Sequence, residues 1–111
     1  MRTPLQPSRE QLSLVTVLHA LSDPIRLGMV RTLARCDEAT CSGLAINKAK
    51  SSLSHHFKVL RDAGVIHTRT EGTQHFNSLR RADLDQRFPG LLNAVLRAAG
   101  RMGRQVAKRH A

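Results

Sequence analysis

The chain has 111 residues, room for a single domain, and carries eighteen Lys and Arg against eight Asp and Glu, a formal charge of +10 that is large for its size. Apolar residues form 41% of it, an ordinary globular share, and no uninterrupted apolar run approaches the roughly 18 residues that a membrane span needs. Met1 to Ser8 lacks the apolar segment of a secretory signal, and Cys36 and Cys41 are the only cysteines, so reduced thiols in a cytoplasmic protein are expected.

A polyanion is the simplest partner for such a charge, because each phosphate neutralised by Lys or Arg releases condensed counterions. A basic surface kept only for solubility is the plainer alternative.

Residues 1–8 are read as a flexible N-terminal arm. Ser8-Arg9-Glu10-Gln11 has the form of a capping box, and Leu14, Val17, Leu18 and Leu21 follow at helical spacing, which predicts a first helix over about 9–21. Asp23 and Pro24 supply an N-cap and a first-turn proline ahead of Ile25, Met29, Val30 and Leu33, so a second helix is expected over about 24–35. The stretch 41–49, with Leu44, Ala45 and Ile46, barely allows two turns and is read as a short helix. From Lys50 the pattern sharpens: Leu53, Phe57 and Leu60 share one face, and Gly64 stands where a left-handed C-cap would close a helix over 50–63.

Val65 to Thr70 and Thr73 to Leu79 are rich in β-branched residues and flank Glu71-Gly72, which predicts a hairpin. Residues 80–87 form a turn or short helix. Phe88, Leu91, Leu92, Val95, Leu96 and Ala99 then recur behind Pro89, giving a last long helix over about 89–99 and a basic tail over 100–111. The fold class is mainly α with a small β-hairpin, in the order α-α-α-α-β-β-α: a winged helix-turn-helix occupying 9–99.

The helix over 50–63 has a polar side opposite its apolar one, carrying Ser51, His55, Lys58 and Asp62. Short hydroxyls, an imidazole and a lysine can approach base edges and phosphates without steric bulk. Ser51, His55 and Lys58 are therefore the predicted DNA contacts on this face of the helix. Arg69, Thr73 and Gln74, beside the hairpin turn, are the predicted contacts of the wing. The partner these residues suit is double-stranded DNA.

The run Leu53-Ser-His-His-Phe-Lys-Val-Leu-Arg-Asp-Ala-Gly-Val-Ile66 resembles the recognition helix and first wing strand of the ArsR family of bacterial repressors. Ser22-Asp23-Pro24-Ile25-Arg26-Leu27 is similar to the opening of that family's second helix. The resemblance spans about residues 12–99, adds Lys48, Lys50, Ser52 and Ser54 to the expected DNA contacts, and implies a homodimer, held by the first and last helices, that binds an inverted-repeat operator and is released by an unidentified signal or small effector. The apolar stripes themselves place Leu14, Leu18, Leu91, Leu92, Val95 and Leu96 at the dimer interface, the alternative being that the last helix only covers its own core.

The metal ligands that the resemblance implies for many relatives are not matched. Cys36 and Cys41 are too widely spaced, and the last helix offers Asn93, Arg97, Arg101 and Arg104, cations that repel a metal ion. His55 and His56 project about 100° apart and do not chelate one ion easily. No metal or other cofactor is expected, although a thiol-redox or metal-responsive repressor using Cys36 and Cys41 stays open if the loop brings their Cα atoms within about 7 Å. Ala49 also stands where a capping hydroxyl is expected, so Ser51 or Ser52 caps a later start.

An RNA-binding or ribosome-associated protein is the competing reading of the charge. Single-stranded RNA modules need exposed aromatic platforms, and the chain has three Phe, no Tyr and no Trp; only Phe76 lies off the apolar stripes. No Gly-rich phosphate loop or nucleophile–base motif is present, so no enzyme activity is expected.

Overall fold

The computed structural model describes the backbone of residues 4–39 and 50–110 and the side chains of 4–39 and 52–100. The helix expected over 41–49 lies outside the described residues, as do Cys41, Lys48 and the side chains of Lys50 and Ser51.

Two successive caps shape the start of the chain. Ser8 opens a single 3₁₀ turn, Arg9–Gln11, in which Ser8 N donates to Gln11 Oε1 at 2.8 Å. Leu12 then leaves helical geometry, and Ser13 caps a separate helix α1, Leu14–Leu21, by accepting from Thr16 N. The single helix expected over 9–21 is thus two elements. The break turns Leu12, 3% exposed, into the core.

Helix α2, Pro24–Leu33, begins at Asp23, whose Oδ1 accepts from Ile25 N, and ends two residues short of the expected 35. It is the centre of the domain: Met29, Val30 and Leu33 are almost fully buried, and the helix packs against α1, the helix that begins at Lys50, the second strand of the hairpin and the last helix. Each large side chain buried in this way stabilises the fold by about 1.5–3 kcal/mol.

Helix α3, Lys50–Asp62, buries Leu53, Phe57 and Leu60 against α1 and α2. Gly64 ends it at φ +81, and a Cβ there would overlap Leu12 Cδ2 and press on Pro7 Cγ. The residue is required both by the left-handed backbone and by the space.

The hairpin follows at once. Strands β1, Ile66–Glu71, and β2, Gln74–Leu79, pair antiparallel from Ile66↔Leu79 to Glu71↔Gln74, so the turn is Gly72-Thr73, one residue later than expected. Gly72 has φ +62 and Thr73 does not have positive φ, the II′ pattern, which wants glycine in the first central position rather than the second.

One row of residues, Ala39, Asn77, Thr68 and Gln6, is hydrogen-bonded along both outer edges of this sheet. Ala39 and Asn77 exchange both backbone bonds at 2.8 Å on the outer edge of β2, and Asn77 pairs with Thr68. On the outer edge of β1, Thr68 N donates to Gln6 Oε1 at 2.7 Å and Gln6 Nε2 donates to Thr68 O at 2.8 Å. The side chain of Gln6 therefore takes the place of a neighbouring strand. Beneath the row, Thr68 Oγ1 donates to the buried Asn77 Oδ1 at 2.8 Å.

Residues 4–8, the described part of the arm expected to be flexible over 1–8, run along the wing, joined to it by these bonds and by Arg80 Nη1, which donates to Pro7 O at 2.6 Å. Helix α4, Arg81–Arg87, continues the tether: Asp83 accepts from Arg9 and Arg80, and Arg87 Nη2 donates to Leu12 O. The hydrogen bond from Arg9, and then that from Arg80, hold the Asp83 carboxyl below its ordinary value.

Helix α5, Leu91–His110, follows a turn at Gly90, φ +83. It starts two residues after Pro89 and runs past Ala99 to His110, so the segment read as a tail is helical. Gly100 and Gly103 each cost about 1 kcal/mol relative to alanine, but the Arg, Met, Gln, Ala and Lys around them are helix formers. Among the described residues no helix is long and apolar enough to cross a membrane.

Candidate nucleic-acid interface

The two faces of α3 separate as the wheel requires. Ser52, Ser54, His55, Lys58 and Asp62 are exposed along one side, while Leu53, Phe57 and Leu60 lie in the core. Lys58 Nζ meets Asp62 Oδ2 at 2.6 Å in an exposed i,i+4 pair, which is worth only a few tenths of a kcal/mol and yields readily to a phosphate.

The sequence reading did not single out the side chain that seats this helix. Arg26, on α2, is only 7% exposed. Its Nε donates to Ala20 O at 2.6 Å and its Nη2 to His19 O at 3.3 Å, capping the last turn of α1. Its Nη1 lies 3.1 Å from His56 Nδ1 on α3. A guanidinium has no acceptor, so Nδ1 accepts and the imidazole proton sits on Nε2. Asp23 Oδ2 is buried without a hydrogen-bond partner and lies 3.9 Å from the same ring nitrogen. The signal available in the sequence was an arginine three residues after Asp23, in a helix whose other inward positions are apolar.

In the wing, Thr73 and Gln74 are exposed at the turn. Arg69 is placed differently from the expectation. Its Nε and Nη2 donate to the two carboxylate oxygens of Glu38 at 2.7 and 2.9 Å, its Nη1 donates to Glu71 at 2.8 Å, and the guanidinium lies 4.4 Å from the centre of the Phe76 ring. These hydrogen bonds raise the Arg69 pKa, and the bond from Arg69 lowers that of Glu38, so both stay charged at neutral pH. Two carboxylates around one guanidinium leave the stem of the wing without free positive charge. Three of the five N–H donors of Arg69 are committed to carboxylates, whose negative charge offsets the attraction of Arg69 for a phosphate. Glu38 was missed because it is far from Arg69 in sequence and reaches it only through the Ala39–Asn77 bridge.

The residues predicted to join two protomers also divide. Leu14 and Leu18 are exposed on α1, at 45% and 43%, with Val15 at 75% beside them. Leu91, Val95 and Leu96 are half-buried against the chain's own core. Leu92 is 2% exposed, inside that core, and is not an interface residue: α5 turns it towards α2.

Cys36 is an exposed free thiol. Among the described residues no three His, Cys, Asp or Glu side chains gather in a metal-binding group. Phe57 is 4% exposed, and Phe76 and Phe88 are half-buried beneath Arg69 and Arg87, so none of the three phenyl rings is an open stacking platform.

Helices crossing on α2, an outward polar face on α3 and a two-stranded hairpin directly after it define a winged helix-turn-helix DNA-binding protein. A helix-turn-helix domain family matches residues 21–69. An uncharacterised HTH-type transcriptional regulator of Bacillus subtilis, YceK, is 37% identical over 82 residues, covering 71% of this chain and 82% of that protein. The arsenical resistance operon repressor of Staphylococcus xylosus is 36% identical over 73 residues, covering 65% of this chain and 70% of its own. The solved structure of the transcriptional repressor BigR from Xylella fastidiosa, 33% identical, matches with a TM-score of 0.59 over 74% of this chain and 81% of that one. The chain belongs to the ArsR family of winged helix-turn-helix transcriptional regulators, which bind double-stranded DNA and are not enzymes.

Proposed function

We propose that the protein is a homodimeric repressor that places one α3 helix in each of two major grooves of an inverted-repeat operator and leaves the DNA when a signal or small effector arrives. The observation that carries this reading is the polar face of α3, on which Ser54 and His55 are exposed directly above the buried Leu53 and Phe57. Base contacts carry sequence information and phosphate contacts position the protein, so Ser54 and His55 read bases while Ser52, Lys58, Thr73 and Gln74 hold the backbone. Lys48, Lys50 and Ser51 belong to the same contact set by their sequence positions. The exposed Leu14, Val15 and Leu18 supply an apolar face on α1 for the second protomer, joined by the half-buried edge of Leu91, Val95 and Leu96.

Genomic footprinting with the purified protein identifies the operator, and competition against mixed-sequence duplex gives the specificity ratio. Ser54→Ala and His55→Ala each cost about 1–3 kcal/mol on the operator and little on mixed-sequence DNA. If both variants fold and keep the wild-type ratio, α3 is not the reading helix.

A further inference from the structure

The polar cluster under α3 has a geometry that packing alone does not call for. Arg26 is held rigidly at one end, because its Nε and Nη2 are spent on two carbonyls of α1, Ala20 O at 2.6 Å and His19 O at 3.3 Å. Its remaining nitrogen reaches across to α3 and meets one atom, His56 Nδ1, at 3.1 Å. Near the same ring nitrogen stands Asp23, at the N-cap of α2. One of its carboxylate oxygens caps that helix, and the other is buried without a partner, 3.9 Å from the same ring nitrogen. The His56 side chain is 13% exposed and directly follows His55, which faces solvent.

We propose that Arg26 and His56 are positioning residues for DNA reading: their hydrogen bond sets how α3 sits on α2, and so where Ser54 and His55 meet the base edges. This rests on the reading of α3 as the helix that enters the groove. The apolar contacts of Leu53, Phe57 and Leu60 hold α3 on the core but are non-directional, so small rotations or slides of the helix change them little. A hydrogen bond to a fixed guanidinium is directional and weakens steeply once its angle is lost. It therefore specifies the one degree of freedom that the apolar face leaves loose. Base reading is the function most sensitive to that freedom, because it needs the contacts at hydrogen-bond distance, whereas phosphate contacts tolerate small shifts of the helix.

The test compares His56→Leu, which fills the space but cannot accept, with His56→Asn, whose side-chain oxygen can accept from Arg26 in place of Nδ1. Binding to the footprinted operator and to mixed-sequence duplex is measured by fluorescence anisotropy, with folding checked by circular dichroism. His56→Leu is expected to lose about 5- to 150-fold of operator preference with mixed-sequence binding held, and His56→Asn to recover most of it. Arg26→Lys gives a second route should His56→Leu not fold: a single ammonium cannot serve both the α1 carbonyls and His56, so it too lowers the operator preference. An unchanged preference in His56→Leu or Arg26→Lys overturns the proposal, as does a loss in which operator and mixed-sequence binding fall together. His55→Ala is run alongside. If it lowers the preference while His56→Leu does not, the positioning role fails and the reading helix stands; if His55→Ala and Ser54→Ala are both without effect, the reading helix itself fails.

Discussion

Replacing Gly64 with alanine perturbs the joint between recognition helix and wing in a way that can be worked out from the structure. The residue sits at φ +81, where an L side chain costs about 1–2 kcal/mol. The added Cβ would overlap Leu12 Cδ2 and lie 3.2 Å from Pro7 Cγ, and Leu12 is 3% exposed with nowhere to retreat except out of the core. Overpacking of that kind costs a further 1–3 kcal/mol or about that, so Gly64→Ala is expected to destabilise the fold by about 2–5 kcal/mol. Gly72→Ala is the internal control: it has φ +62 but nothing within 4 Å of its Cβ, and should cost only the backbone part, about 1–2 kcal/mol. Urea denaturation followed by circular dichroism, at one fixed protein concentration, measures both. Adding Leu12→Ala to Gly64→Ala should cost less than the sum of the single changes, since it removes the obstacle. Equal losses for Gly64→Ala and Gly72→Ala, or strict additivity with Leu12→Ala, would refute the argument that Leu12 and Gly64 compete for one space.

Two further outcomes separate roles that the sequence pattern merged. Leu18→Glu is expected to convert the proposed dimer to a folded monomer, whereas Leu92→Ala should cost about 2–5 kcal/mol of stability; sedimentation and urea titration check the pair, and a folded dimer in Leu18→Glu would remove α1 from the proposed interface. Glu38→Gln should free Arg69 for a phosphate and steepen the dependence of log affinity on log salt by about 0.9 on any duplex, a change that Arg69→Ala would abolish. An unaltered salt slope in Glu38→Gln would mean that the wing stem stays off the DNA.

The positions of α2, α3 and the hairpin were legible because each rests on local chemistry: Asp23-Pro24 opens a helix, Leu53, Phe57 and Leu60 recur on one face, and Gly64 ends it. The errors fell where local signals compete. The capping box at Ser8 caps one turn rather than a helix, because burying Leu12 outweighs continuing the helix through it. The hairpin turn moved by one residue because the turn type decides which central position takes the glycine. Gly100 and Gly103 resemble breakers, yet their neighbours carry α5 through them.

What the sequence by itself determined was therefore the family, the order of the elements and the two faces of α3, since periodicity and caps act over a few residues. Only the tertiary structure decided which charged groups are free. Arg69 looked available beside a turn and is held by Glu38, thirty-one residues away, and Arg26, which no spacing singled out, is buried against α1 and α3. The same holds for Leu92, whose place on an apolar stripe does not reveal whether that stripe meets its own core or another protomer. The physical reason is common to all three. Secondary structure follows from neighbours in the chain, but the partner of a charge or the burial of a stripe depends on which distant segments the fold brings within a few ångströms.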